Sequence, residues 1–296
     1  MTVAASPMLE PVGPVRLWTW PVVVVGGFVL GLVFGAPLYF VGRFVGEALF
    51  APYGGHELAR AAAEFLPLSL TLVGLALAGL IVAKAVYRRP MVSFVAPRPF
   101  RPGLMLAGFL GYLAVMGPVF YGVGQAAPEP GPLFDPTAPV DLKVAYVATM
   151  GLLILVAAAA EEALFRGLLL QMQAGTARLI PWLLFGPATL LFMAAHGTTQ
   201  SHALVLYGAL GAALAWAALR TGGLEASIGL HTAHNFGLML FVGTVLDDLE
   251  KRSADPAFGS DVERVAGYAA ALVPAVVVVL VTEVVARSLR SARATT

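Results

Sequence analysis

Apolar runs as long as a bilayer crossing recur along this chain, and that pattern leaves few folds open. Trp18–Val41, Leu104–Gly122 and Val144–Ala160 contain no charged side chain at all. About 20 consecutive apolar residues in a helix span the hydrocarbon core. Only 12% of the 296 residues are charged and 59% are hydrophobic, whereas a soluble domain carries about 25% charged residues. The spacing predicts an all-α, polytopic membrane protein of about eight spanning helices, with a polar site inside the bundle. The expected spans are Trp18–Val41, Phe65–Val86, Leu104–Gly122, Val144–Leu170, Ile180–Ala195, Ala203–Leu219, Ala226–Val245 and Ala266–Ala286. With no internal repeat and no long linker, residues 1–296 read as a single integral domain.

The connections refine this picture. Residues 88–102 mix arginine, proline, Phe, Met and Val, a composition suited to the membrane surface, and 126–140 read as a Pro-rich, acidic, irregular loop. Asp247–Arg264 is densely charged. Most lysines and arginines fall on one expected face: Arg16, the group Lys84, Arg88, Arg89, Arg98 and Arg101, then Arg166, Arg178, Arg220 and the tail residues Arg287, Arg290 and Arg293. The positive-inside rule makes that face cytoplasmic, which puts both termini of a multi-pass cell-membrane protein inside. The first apolar run lacks a convincing small-residue cleavage site and reads as an anchor. A net charge of +1 offers no field for nucleic acid. The absence of cysteine excludes thiol nucleophiles and thiolate metal sites. No phosphate-cradling loop or Gly-flanked serine with a partner histidine is evident, and Asp247–Asp248 sits in a charged loop unsuited to an aspartyl dyad.

Polar residues inside the spans carry the functional signal. Glu161 and Glu162 end the apolar run from Val144, and Arg166 follows one turn later. A carboxylate near the centre of a membrane helix costs about 2.5–3.5 kcal/mol on insertion scales, so an adjacent pair requires chemistry or polar partners. Glu162 and Arg166 are spaced i,i+4 and can pair along the helix. Glu161 points about 100° away and is the carboxylate left to face a cavity. Phe192 and His196 close the fifth span, and the seventh carries His231, His234 and Asn235. His231 and Asn235 share one face; His234 lies on a neighbouring stripe.

This set fits hydrolysis by activated water. Glu161 can act as general base, a histidine can orient the water, and a second histidine with an Asn amide can donate to the oxyanion. A metal scheme stays open beside it, with Glu161, His196 and His231 as three ligands to one zinc and a position left for water. The H-E-x-x-H helix motif is absent. His202 and His234 read as structural, His56 as a solvated loop histidine and Phe192 as packing. Glu283 is expected to meet water or Arg287, and Gly208 with 211–215 to mark close helix packing.

EE-x-x-x-R, F-x-x-x-H and H-x-x-x-N in this order, and the phrases EEALFRG and SIGLHTAHN, resemble the CAAX-protease and bacteriocin-processing (CPBP) family of intramembrane proteases, which includes the type II prenyl endopeptidases. The resemblance covers about residues 145–245, a family-like catalytic core. It implies an endopeptidase in which Glu161 activates water with His196, while His231 and Asn235 hold the oxyanion and Glu162 with Arg166 supports them. The implied partner is a membrane-associated peptide or protein, lipidated in the prenyl branch, with the bilayer around it. Small residues on the helix faces are compatible with a homo-oligomer. The competing readings are a proton- or solute-coupled transporter, which calls for two matching halves with broken helices, and a non-catalytic scaffold or immunity protein.

Overall fold

The computed structural model describes residues 6, 8–9, 18–96, 98–127, 131–173, 185–244 and 261–294. Every regular element among them is helical: α1 (Thr19–Phe50), α2 (Glu57–Tyr87), α3 (Val92–Val95), α4 (Pro102–Ala126), α5 (Val140–Met172), α6 (Gly186–Ala195), α7 (Ser201–Thr221), α8 (Glu225–Gly237, continued by Leu238–Val242) and α9 (Asp261–Ala294). Six of these, α1, α2, α4, α5, α7 and α9, are long and apolar enough to cross a membrane. The protein is thus an all-α, multi-pass membrane protein.

Among the described residues six helices meet this length and apolarity, against about eight expected. The fifth expected span contains α6, which has ten residues and is about 15 Å long at 1.5 Å per residue, half the hydrocarbon thickness; residues 180–184 lie outside the described residues. The seventh corresponds to α8, whose Glu225, His231 and His234 keep it out of the set of apolar helices. Hydropathy overstates the second of these segments because α8 does not have to face lipid over a full crossing. Every residue from Glu225 to His234 is buried, so α8 is solvated by protein and can carry polar groups. The charged stretch expected at 247–264 lies outside the described residues up to position 260.

Close approach of backbones holds the spans together. Lipid tails are as apolar as Leu, so helices gain little by hiding apolar surface from lipid and pack instead through small residues. In the antiparallel pair α1–α2, a Cβ at Gly42 would lie 2.7 Å from Pro67 Cα, and one at Gly46 would lie 2.6 Å from the Ala63 carbonyl oxygen. The opposite face of α1 presents Phe28, Leu32, Phe40 and Phe44 outward, the side suited to lipid. The α1–α2 connection turns through Gly54 and Gly55, at φ 60° and 86°. His56 then caps α2, its Nδ1 accepting from the Leu58 N–H at 3.2 Å. Its Nε2 stands 3.3 Å from Thr137 Oγ1 and 3.6 Å from Asp135 Oδ2. The solvated-loop reading of His56 is therefore corrected: the residue ties the start of α2 to the segment before α5.

The remaining spans enclose α8. α4, α7, α8 and α9 share an apolar core built on Tyr112, Met116, Leu214, Leu230, Ala233 and Val278. At the α4–α8 crossing a Cβ on Gly108 would come within 2.8 Å of the Ala226 carbonyl oxygen. Arg220 on α7 grips Glu283 on α9 with two hydrogen bonds of 2.7 and 2.9 Å, so Glu283 has an interhelical partner where the sequence pointed to water or Arg287. The segment after α2 packs inward as well. Phe94 of α3 is buried, its carbonyl accepts from Gln171 Nε2 at 2.9 Å, and Arg89 lies 4.5 Å over its ring. This short helix is thereby docked on the end of α5.

Candidate active site

The glutamate pair sits where α5 changes its winding. Residues Ala163–Leu169 form a π-helical segment, closed by a bond from the Leu170 N–H to the Phe165 carbonyl. Such segments widen the helix by one residue per turn and occur often at functional sites. Here the widened turn carries Arg166 while Glu161 and Glu162 occupy the last regular turn before it.

Glu162 is fully buried and Arg166 is 2% exposed. Arg166 Nη1 donates to Glu162 Oε1 at 2.8 Å, which bears out the expected pair. Arg166, expected on the basic face of the membrane, lies inside the bundle, where Glu162 neutralises its charge. Its Nη2 donates to the Gly211 carbonyl at 3.2 Å, and the guanidinium lies 4.2 Å over the Phe192 ring. A buried charge needs a partner and satisfied hydrogen bonds, and α5, α6 and α7 together supply them.

Glu162 also has a second partner that the i,i+4 spacing did not reveal. His231 of α8 places Nδ1 2.9 Å from Glu162 Oε1. A carboxylate oxygen with two such neighbours accepts from both, so His231 Nδ1 carries the hydrogen. The other ring nitrogen, Nε2, faces Glu161 Oε2 at 3.9 Å. Glu161 is more open than its neighbour, with 14% of its side chain exposed. Its Oε2 is buried and makes no hydrogen bond among the described residues. The two glutamates thus differ as their helical positions imply, and α5 and α8 bring both of them to one imidazole.

His196 ends α6. Its Nδ1 is 2.8 Å from the Phe192 carbonyl oxygen, which can only accept, so Nδ1 carries the hydrogen and Nε2 of the neutral ring is an acceptor. The ring stacks on Tyr207 of α7 at 3.9 Å. Phe192 lies between the two histidines, its ring 4.6 Å from that of His196 and 5.9 Å from that of His231. This buried Phe therefore packs, as expected, and in doing so also forms the wall that joins the α6 and α8 imidazoles. Asn235 lies one turn beyond His231 and is only partly buried. His234 turns away from the glutamates to Tyr112 of α4, with 2.8 Å between Nδ1 and the hydroxyl, and so has a structural partner.

Among the described residues, no three His, Asp or Glu side chains stand together as a metal-binding group. Glu161 and His231 face each other.

Further residues that the sequence reading missed position α8. Arg101, just before α4, donates from Nε and Nη2 to the two carboxylate oxygens of Glu225 at 3.0 and 2.9 Å, and from its backbone N–H at 3.0 Å. Its Nη1 also donates to the Thr221 carbonyl at 3.1 Å. This grip fixes the first turn of α8 and, through it, His231 two turns later. The signal was a lone carboxylate, Glu225, at the head of an otherwise uncharged stretch. Tyr207 gave no such signal, because an aromatic residue in an apolar helix looks like any packing residue.

Neither the curated proteins nor the solved structures contain a match to the chain. Residues 143–237 match the family described as type II CAAX prenyl endopeptidase, Rce1-like. The matched stretch is about a third of the chain, and it holds the buried Glu162–Arg166 and Glu162–His231 pairs, Glu161, His196 and Asn235.

Proposed function

We propose that this chain is an intramembrane endopeptidase that cleaves a membrane-associated peptide or protein with water activated by Glu161 and His231. One observation carries the proposal. A carboxylate oxygen without a hydrogen bond and an imidazole nitrogen lie 3.9 Å apart, inside a bundle and within the protease-like stretch. With Nδ1 donating to Glu162, the neutral His231 ring offers Nε2 as an acceptor. Two acceptors do not bond to each other, but a water between them donates one hydrogen to each and keeps a lone pair for attack.

The oxygen of that water forms a bond to the carbonyl carbon of the substrate. Glu161 takes the released proton, the carbonyl becomes an oxyanion, and Asn235 is the amide donor placed on the same helix face to receive it. Collapse breaks the C–N bond as Glu161 returns the proton to the leaving nitrogen. Glu162 and Arg166 hold His231 in one tautomer. This assigns His231 to orienting water, where the resemblance alone suggested an oxyanion donor. His196, with Nε2 as acceptor, is the second imidazole on the same wall. The positive-inside rule supports a cytoplasmic location for the face with Lys84, Arg88, Arg89, Arg98 and Arg101, and hence for both termini.

The test is cleavage of membrane-anchored peptides by the purified protein in liposomes. Wild type is expected to cleave, and E161Q to lose at least about 10²-fold, the low end of general-base contributions. Metal content measured on both samples reports whether zinc shares the site. A transporter would instead move a solute or protons across the liposome without cleaving any peptide, and a scaffold would do neither.

A further inference from the structure

Part of the N-terminal segment is buried within the bundle, beside the helices that carry the candidate site. Met8 is fully buried and Ser6 is 1% exposed, although neither belongs to a helix. The Met8 side chain joins an apolar cluster made by Ala163 and Leu170 of α5, Ala215, Ala218 and Leu219 of α7, and Ile228 of α8, with Leu224 beside them. Ala163 directly follows Glu162, and Ile228 lies one turn before His231. Ala159 and Leu155, on the turns of α5 before the glutamates, pack against the same cluster.

The backbone is engaged as well. The Ser6 hydroxyl donates to the Leu219 carbonyl at 2.6 Å and accepts from the Met8 N–H at 3.4 Å, and the Leu9 N–H donates to the Ser6 carbonyl at 2.9 Å. Leu219 lies in the last turn of α7, where helix carbonyls lack partners in their own helix. The bundle therefore opens at the end of α7 to a non-helical stretch of chain. There it offers one carbonyl acceptor and an apolar slot bounded by α5, α7 and α8.

We propose that this slot is the subsite for an apolar residue of the peptide substrate, and that Met8, anchored by Ser6, occupies it as an autoinhibitory plug. This rests on the hydrolase reading above. The substrate class that fits is a non-helical peptide with a flexible apolar residue, Met or Leu, two positions after a small hydroxyl-bearing residue. Binding such a peptide displaces Met8, and occupancy by Met8 keeps peptides out.

The chain has no cysteine, so a single M8C reports on the slot by its reaction with a maleimide. Protection of M8C in the resting protein, and faster labelling when a peptide of sequence Ser6–Leu9 flanked by its natural neighbours is added, are the expected results. In cleavage assays M8D, whose charge cannot remain in the slot, is expected to raise kcat/KM several-fold through KM. The same peptide added in trans is expected to inhibit M8D competitively. Rapid labelling of M8C at rest overturns the plug. Protection combined with an M8D variant that is folded but no faster than wild type reduces Met8 to packing and also overturns it. Protection with no cleavage by wild type or M8D removes the hydrolase reading, and the inhibitory role with it.

Discussion

Glu162 is the residue on which the interior of the site depends, because one carboxylate oxygen serves both Arg166 and His231. Removing one member of a buried ion pair leaves the other charged and unpaired, at a cost of about 3–5 kcal/mol. E162Q and R166M are therefore each expected to lower stability by roughly that amount, measured by unfolding in detergent. The double change E162L/R166M removes both charges and is expected to regain most of the loss, since apolar replacement of a buried pair is often neutral. It should nonetheless remain inactive, because His231 Nδ1 has lost its acceptor. Recovery of activity together with stability would show that the pair only fills space. A second test lies at Asp135, outside the spans. Partial burial acts to raise its proton affinity, but hydrogen bonds from the Thr137 hydroxyl and N–H, with His56 and Lys143 nearby, outweigh this and hold the carboxyl below the usual carboxylate range. A depressed folded-state value stabilises above the unfolded value, about 3.9 for Asp, and the contribution fades as pH falls through the folded value. D135N is expected to lower stability near neutral pH, where this contribution is fully present, and to approach wild type as pH falls through the acid limb.

At the scale of elements, α1–α2 and α4–α8 are crossings made by missing side chains. A Cβ at Gly42 would meet Pro67 backbone atoms at 2.7 and 2.9 Å, and backbone cannot swing aside as the end of a long side chain can. G42L is expected to cost at least about 1–3 kcal/mol, the usual range for overpacking, read as a lower melting temperature in detergent. A melting temperature equal to wild type would mean that α1 and α2 do not touch at this point. The helices themselves were legible from apolarity alone, since α1, α2, α4, α5, α7 and α9 all lie where apolar runs predict spans. The place of α8 was not legible, because its burial inside the bundle is set by tertiary packing and not by its own apolarity. Of the site, the i,i+4 relation of Glu162 and Arg166 was readable because helical geometry is local. The bond from Glu162 to His231 joins residues 69 apart in the chain and depends on how α5 and α8 cross, which no spacing encodes. The same holds for Arg101 with Glu225 and Arg220 with Glu283, where charge at a helix end marked a need for a partner without naming it.

For the molecule as a whole, α4, α5, α7 and α9 pack around a buried, polar α8 while α2 joins α1 to α5, and that arrangement is what allows carboxylates and imidazoles to persist at membrane depth. The outer helices satisfy lipid, and the inner one is free to carry Glu225, His231 and His234. The π-helical turn of α5 and the grip of Arg101 on α8 set the two sides of the site independently. The Met8 slot connects that site to chain outside the helices. The proposed hydrolysis rests on Glu161. Its most direct test is single-turnover cleavage of a membrane-anchored peptide in liposomes by wild type and by E161Q, with both proteins shown to melt alike. Cleavage by wild type and a loss of at least about 10²-fold in E161Q are expected; equal rates in the two proteins would remove Glu161 from the chemistry.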